Sequence, residues 1–298
     1  MKFLFIAIFS ISIFAQNLIK PIPQSIEFNK SKAELGKILF FDANLSNDGE
    51  VSCASCHRLD KCGADDKAIS KGSHGAMGEY NAPSVYNLAF FINYNWIGDA
   101  QSIEEQMVKP ITSKFEFNSS FEHIIQYISQ NEELKKRFLE NYSKIDRDTI
   151  LKALAEYIKS LITPNSRFDK FLRGDEDAIT TDEKLGYKIF IKHGCISCHN
   201  GVNIGANMLQ KFGVFKSREN IEGRFEHTKQ ESDIGVFRVP SLRNISQTAP
   251  YFHDGKVATL KESIEMMADY QLGIELSDEE VELISKFLKS LDAKVINE

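Results

Sequence analysis

The sequence predicts a mainly α protein built from two similar modules with long loops, and three observations predict it. The pentapeptide Cys53-Ala54-Ser55-Cys56-His57 returns as Cys195-Ile196-Ser197-Cys198-His199. A helix-like segment with Leu35-Gly36 and Phe40 leads into the first copy, and one with Leu185-Gly186 and Phe190 leads into the second. No long alternation of apolar and polar residues marks a sheet, so only a short ribbon near residues 212–215 and 235–239 is expected.

The helices announce their starts. Capping boxes, in which a hydroxyl and a carboxylate satisfy backbone donors at a helix start, are expected at Ser31/Glu34, Ser102/Glu105, Ser119/Glu122, Thr180/Glu183, Thr259/Glu262 and Ser277/Glu280. Ile150, Leu151, Leu154, Tyr157, Ile158 and Leu161 recur at helical spacing until Pro164 stops the segment. Val281, Ile284, Phe287, Leu288 and Leu291 form a second amphipathic run near the C-terminus. The polar stretch 164–177 is the expected boundary, giving domains 16–165 and 166–298.

Residues 1–15 read as a secretory signal: Lys2 is the positive end, residues 3–14 are apolar but short for a bilayer span, and Ala15 precedes the cut. The mature chain is therefore expected in the periplasm with no membrane segment. A length of 298 residues suffices for two cores. A net charge of -6 argues against nucleic-acid binding.

CxxCH is the attachment signature of c-type haem: the thiols add across the vinyl groups and the histidine meets the iron. The competing readings are two redox dithiols or a four-cysteine zinc site, with both histidines coincidental. Cys62 is left over and reads as an idle or buried thiol. The fold class is thus two cytochrome c-like haem domains. Each iron needs a sixth ligand or an open position. His74, in the three-glycine loop 71–78, is a candidate for the first, with Met77 competing. Met266 and Met267 are candidates for the second, although methionine at helical spacing is more often core; His193, Met208 and His227 are weaker. Gln106 and Glu116 follow Trp96, the single tryptophan. A carboxylate over an open iron can move the proton that peroxide O–O cleavage requires, whereas the bland reading of Glu116 is a surface acid.

These residues resemble the bacterial dihaem cytochrome c peroxidases, a group that includes the MauG-type enzymes, from about residue 31 to 292. The likeness rests on both CxxCH sites, His74-Gly75 followed by Asn81-Ala82-Pro83-Ser84, Ile103-Glu104-Glu105-Gln106, and Val239-Pro240-Ser241-Leu242-Arg243-Asn244. Thr248-Ala249-Pro250-Tyr251-Phe252-His253-Asp254-Gly255 and Gln271-Leu272-Gly273 complete it. The resemblance implies proximal ligation by His57 and His199, and a releasable distal ligand in His74. It implies Met267 on the high-potential haem, Glu116 as acid/base with Gln106 beside it, and Trp96 between the haems. It also implies a calcium ion held at Asn81, Thr248 and Pro250. The implied reaction is reduction of hydrogen peroxide to water with electrons from a small periplasmic cytochrome c or cupredoxin, and it leaves room for a homodimer. A MauG-like oxidase acting on a partner protein and a non-enzymatic dihaem electron carrier are the competing functions. The chain departs from the family's usual Trp-Asp-Gly-Arg with Trp96-Ile97-Gly98-Asp99, which removes an expected acid and base near the haem interface.

Overall fold

A computed structural model describes residues 18–217 and 221–296, so the leader assigned to residues 1–15 lies outside the described residues. The architecture is helical. Helices α1 (Lys30–Phe41), α2 (Ile103–Thr112), α3 (Phe121–Gln130), α4 (Glu132–Asn141) and α5 (Arg147–Ser160) build the first half. Helices α6 (Arg167–Leu172), α7 (Thr181–Lys192), α8 (Leu260–Met267) and α9 (Asp278–Lys289) build the second. Among the described residues, no helix is long and apolar enough to cross a membrane.

Each half is organised by one crossing helix pair, and the same device closes both. In α1, Gly36 lies so close to α5 that an added Cβ would sit 1.9 Å from the Ala153 carbonyl oxygen. In α7, Gly186 lies equally close to α9, with 1.9 Å to the Leu283 carbonyl oxygen. Only a residue without a side chain permits that approach. Beside each glycine an aromatic pair fills the crossing: Phe40 against Tyr157 at 5.2 Å, and Phe190 against Phe287 at 5.3 Å. The repeated Leu-Gly with a following Phe is therefore a packing motif, and each CxxCH turn follows the first helix of its pair.

Capping boxes form at Thr180, Thr259 and Ser277. At Ser102 only the hydroxyl half forms, because the Glu105 carboxylate accepts from the Gln101 N–H instead, and two starts shift. Asn29, not Ser31, caps α1: its Oδ1 accepts from both the Ser31 hydroxyl and the Lys32 N–H. Ser120, not Ser119, caps α3, its hydroxyl oxygen accepting from the His123 N–H, while the Ser119 N–H donates to the Ile111 carbonyl. Helix α5 ends at Ser160, four residues before Pro164. The ribbon pairs β1 (Leu209–Lys211) with β2 (Val236–Arg238) antiparallel, Leu209 opposite Arg238, so its first strand lies just before the expected residues.

One core forms around Leu39, Phe40, Phe138 and Leu154, and another around Phe168, Phe190 and Phe287. The chain ends cross over. Ile19 belongs to the second core, although residues 16–165 were expected to form the first domain. The Ile22 N–H donates to Asp169 Oδ1, and Arg243 Nη2 donates to the Lys20 carbonyl. Arg243 and Asp169 themselves form a fully buried ion pair at 2.8 Å. At the other end, Val295 packs on the first core and the Ile296 N–H reaches the Ile162 carbonyl.

Candidate functional site: two cavities sharing a wall

Cys53, Cys56 and His57 line one cavity together with Gln106, Glu116 and Trp96. Cys195, Cys198 and His199 line a second, with Met267, Thr248 and Pro250. Asn81, Ala82, Pro83 and Trp96 line both, so this segment and the tryptophan form the partition. The two cysteine pairs thus face different cavities, which excludes a single four-cysteine zinc site.

The two motifs have matching electrostatics. His57 Nδ1 lies 3.2 Å from the Gly63 carbonyl, and His199 Nδ1 lies 3.3 Å from the Ile204 carbonyl. Donation from Nδ1 to a carbonyl leaves the lone pair on Nε2, the form that binds a metal. Burial lowers both imidazoles, His199 to about 4, so each is neutral and able to ligate. Burial also raises the thiols, Cys53 to about 12 and Cys195 to about 11. Such thiols are poor nucleophiles for disulfide exchange, which argues against the redox-dithiol reading. An apolar slot with two protonated thiols and a ligating imidazole fits a covalently attached haem.

The distal sides differ. Glu116 is half-buried, and desolvation in the first cavity raises its carboxyl above the usual range. Gln106, from α2, and Lys109, one turn on, share that wall. The second cavity instead receives Met267, the last residue of α8, where the chain passes into a π-type turn (Ala268–Leu272). Gln271 in that turn accepts from the Gly213 N–H and donates to the Lys211 carbonyl, tying the turn to the ribbon. His193 also lines the second cavity, with Nε2 2.9 Å from Glu280. Met208, Met266 and His227 are not among its lining residues.

His74 does not line the first cavity: it is exposed, at the left-handed φ of 56°. The neighbouring Met77 is half exposed as well. Cys62 is half-buried, also left-handed, and its carbonyl accepts from the Ser84 hydroxyl.

Trp96 Nε1 donates to the Asn81 carbonyl at 2.8 Å. The departure at Trp96-Ile97-Gly98-Asp99 has a local account. Ile97 is buried, and the Ile97 and Gly98 carbonyls both accept from Arg224 Nη1. Asp99 accepts from Asn95. Sequence reasoning missed Arg224 and also Arg238. The buried Arg238 guanidinium lies 4.9 Å from the Phe91 ring and 5.9 Å from the Trp96 ring. Its only sequence signal is a charge inside an apolar strand.

A family model described as di-haem cytochrome c peroxidase matches residues 30–177, and one described as cytochrome c matches residues 183–292. Each contains one CxxCH motif. The chain is 40% identical over 282 residues to cytochrome c551 peroxidase of Nitrosomonas europaea, covering 93% of this chain and 84% of that protein. It is also 40% identical to the cytochrome c peroxidase Ccp of Escherichia coli, spanning 92% of this chain but 61% of the longer relative. Among solved structures, a MauG-like protein associated with microbial copper homeostasis superposes with a TM-score of 0.81 at 27% identity, covering 92% of this chain and 93% of that one. Sequence similarity across nearly the whole length, with each attachment motif on its own cavity, leads to one assignment: the chain belongs to the dihaem cytochrome c peroxidase family.

Proposed function

We propose that this protein reduces hydrogen peroxide to two molecules of water, using two electrons delivered by a small periplasmic cytochrome c or cupredoxin. The observation that carries the reading is Glu116, with Gln106, on the cavity that holds Cys53, Cys56 and His57. The haem of that cavity would be held by Cys53, Cys56 and His57, and would supply the open iron at which peroxide binds and is reduced. Cys195, Cys198, His199 and Met267 would hold the second haem, with the higher potential that methionine ligation brings. Glu116 takes a proton from the near peroxide oxygen and returns one to the departing oxygen. Its desolvated carboxyl suits both tasks, because a raised pKa brings its two protonation states closer in free energy near neutrality. Gln106 orients the substrate by hydrogen bonding. Trp96 lies on the wall between the two haem cavities and is the residue we assign to electron passage.

His74 is the ligand that leaves. Its exposed position is compatible with release, and activation would be its displacement from the first iron. Asn81, Thr248 and Pro250 are the calcium residues in this reading. Asn81 Nδ2 is committed to the Lys67 and Ala68 carbonyls, so Oδ1 is the atom its side chain offers a hard cation. Such an ion would steady the carbonyl to which Trp96 is bonded. The proposed compartment is the periplasm. Each chain contains both cavities, so the chemistry is the same for a monomer and a homodimer.

A MauG-like oxidase is expected to carry tyrosine in place of the distal methionine. Here Met267 lines the second cavity, while Tyr270 packs on Phe212 and lies under Lys216. A permanently six-coordinate carrier would have no use for a desolvated carboxylate beside the first attachment site. The test is steady-state peroxide reduction by the dihaem protein with a reduced small cytochrome as donor. Peroxide-dependent oxidation of the donor is expected; none, with both haems present, removes the reading.

A further inference from the structure

Three segments distant in sequence meet on one side of the first cavity: the turn 46–50, the loop 71–78 and residues 115–118. Asp48 ties them together. Its Oδ2 accepts from the His74 backbone N–H at 2.6 Å. Its Oδ1 accepts from the Ser46 hydroxyl at 3.0 Å and the Glu50 N–H at 3.1 Å. The adjacent Asn47 donates from its N–H to the Phe117 carbonyl and from Nδ2 to the Asn118 carbonyl. The loop closes the triangle, because the Ser73 N–H donates to the Glu116 carbonyl at 2.6 Å. Gly72 lies flat on that backbone, where a Cβ would come within 2.2 Å of the Phe115 carbonyl oxygen.

We propose that Asp48 is the latch that keeps the His74 side chain outside the peroxidatic cavity, which Gly72 and Gly78 of the same loop line, and so is a positioning residue for the open state. The inference rests on the reading of His74 as a releasable iron ligand. The physical argument is the count of acceptors. One carboxylate oxygen is occupied by the turn's own donors, and the other is left for the His74 N–H. A charged acceptor makes a stronger bond to that N–H than water does. The αL conformation of His74 is unfavourable for a residue with a Cβ, so the released loop needs a partner that repays it. Residues 72–73 of the same loop rest directly on the Glu116 backbone, so the latched loop also backs the proton-transfer residue.

An asparagine at position 48 has a single acceptor oxygen and cannot serve both sides. In the dihaem protein, Asp48→Asn should therefore shift the half-reduced first haem toward the ligated, low-spin state by about tenfold. Electron paramagnetic resonance and visible spectra read that spin state. Hydrogen exchange at residues 73–76 should quicken in the same variant, and haem content should be unchanged. Against a His74→Gly background, Asp48→Asn should alter neither spin state nor turnover further, because the loop no longer carries a ligand. An unchanged high-spin fraction in Asp48→Asn overturns the latch. So does a turnover loss that persists in the double variant relative to His74→Gly alone, since that would make Asp48 a structural residue. If His74→Gly by itself leaves the oxidised first haem low-spin and spectrally unaltered, His74 is not its ligand, and the underlying reading fails with the latch.

Discussion

The two halves of this molecule are built from the same parts up to the proximal side of each cavity, and they part company on the distal side. Both use a glycine to bring a helix pair into backbone contact, both place an aromatic pair beside it, and both tie the motif histidine to a carbonyl through Nδ1. Beyond that, the first cavity takes Gln106 and Glu116, from a helix and the turn after it, with Gly72 and Gly78 of a glycine-rich loop on its wall. The second takes Met267 from a helix end anchored by Gln271. A shared scaffold fixes where a haem attaches, and in the proposed reading the distal segments set the difference between an iron that meets substrate and one that only passes electrons.

The largest effect should come from a feature confined to the second half. Asp169 and Arg243 are buried together and fasten the strap of residues 18–22. Asp169→Ala leaves a buried guanidinium without its partner, and a loss of about 3–5 kcal/mol in denaturant unfolding is expected. A loss below about 1 kcal/mol would mean that the strap is not fastened through this pair.

The distal contrast is broken most directly at Glu116. Glu116→Gln should lower peroxide turnover by on the order of a hundredfold while both haems and their potentials stay in place. Met267→Gln should instead lower the potential of the second haem and leave that of the first unmoved. Unchanged turnover in Glu116→Gln removes this carboxyl from the chemistry.

Sameness of the scaffold is tested by Gly36→Ala and Gly186→Ala. Each should cost about 1–3 kcal/mol or more, because a Cβ would press on a carbonyl oxygen of the facing helix. Comparable losses at the two sites support one scaffold used twice; a loss at only one site would break the equivalence.

The smallest expected effect is a displacement along the pH axis. Desolvation raises Glu116, so the acid limb of kcat/KM should lie above the ordinary glutamate range near pH 4.3 and should vanish in Glu116→Gln. The linkage runs in the matching direction. A carboxyl raised in the folded state contributes most below its unfolded value, and that contribution is lost as pH rises through the folded value. Glu116→Gln should therefore be slightly more stable than the parent at neutral pH and lose the advantage in acid.

The attachment motifs, the helix before each of them, and most caps were legible because they depend on residues within one or two turns of each other. Nearest-neighbour competition explains the misses: Asn29 and Ser120 took caps that Ser31 and Ser119 also matched by spacing. Among the site residues, composition and spacing alone favoured a surface acid at Glu116 and left His74 evenly between iron ligand and loop histidine, and a likeness to known sequences tipped both.

What the sequence determined by itself was the pair of CxxCH turns and the helices that carry them, because capping and apolar periodicity are local. Tertiary structure alone decided that Glu116 and Gln106 face one cavity, that Met267 faces the other, that Trp96 and Asn81 stand between them, and that Asp48 reaches His74. Those juxtapositions join residues tens to nearly two hundred positions apart. They exist only once the two helix pairs have packed, because no local preference of the chain encodes a contact across that separation.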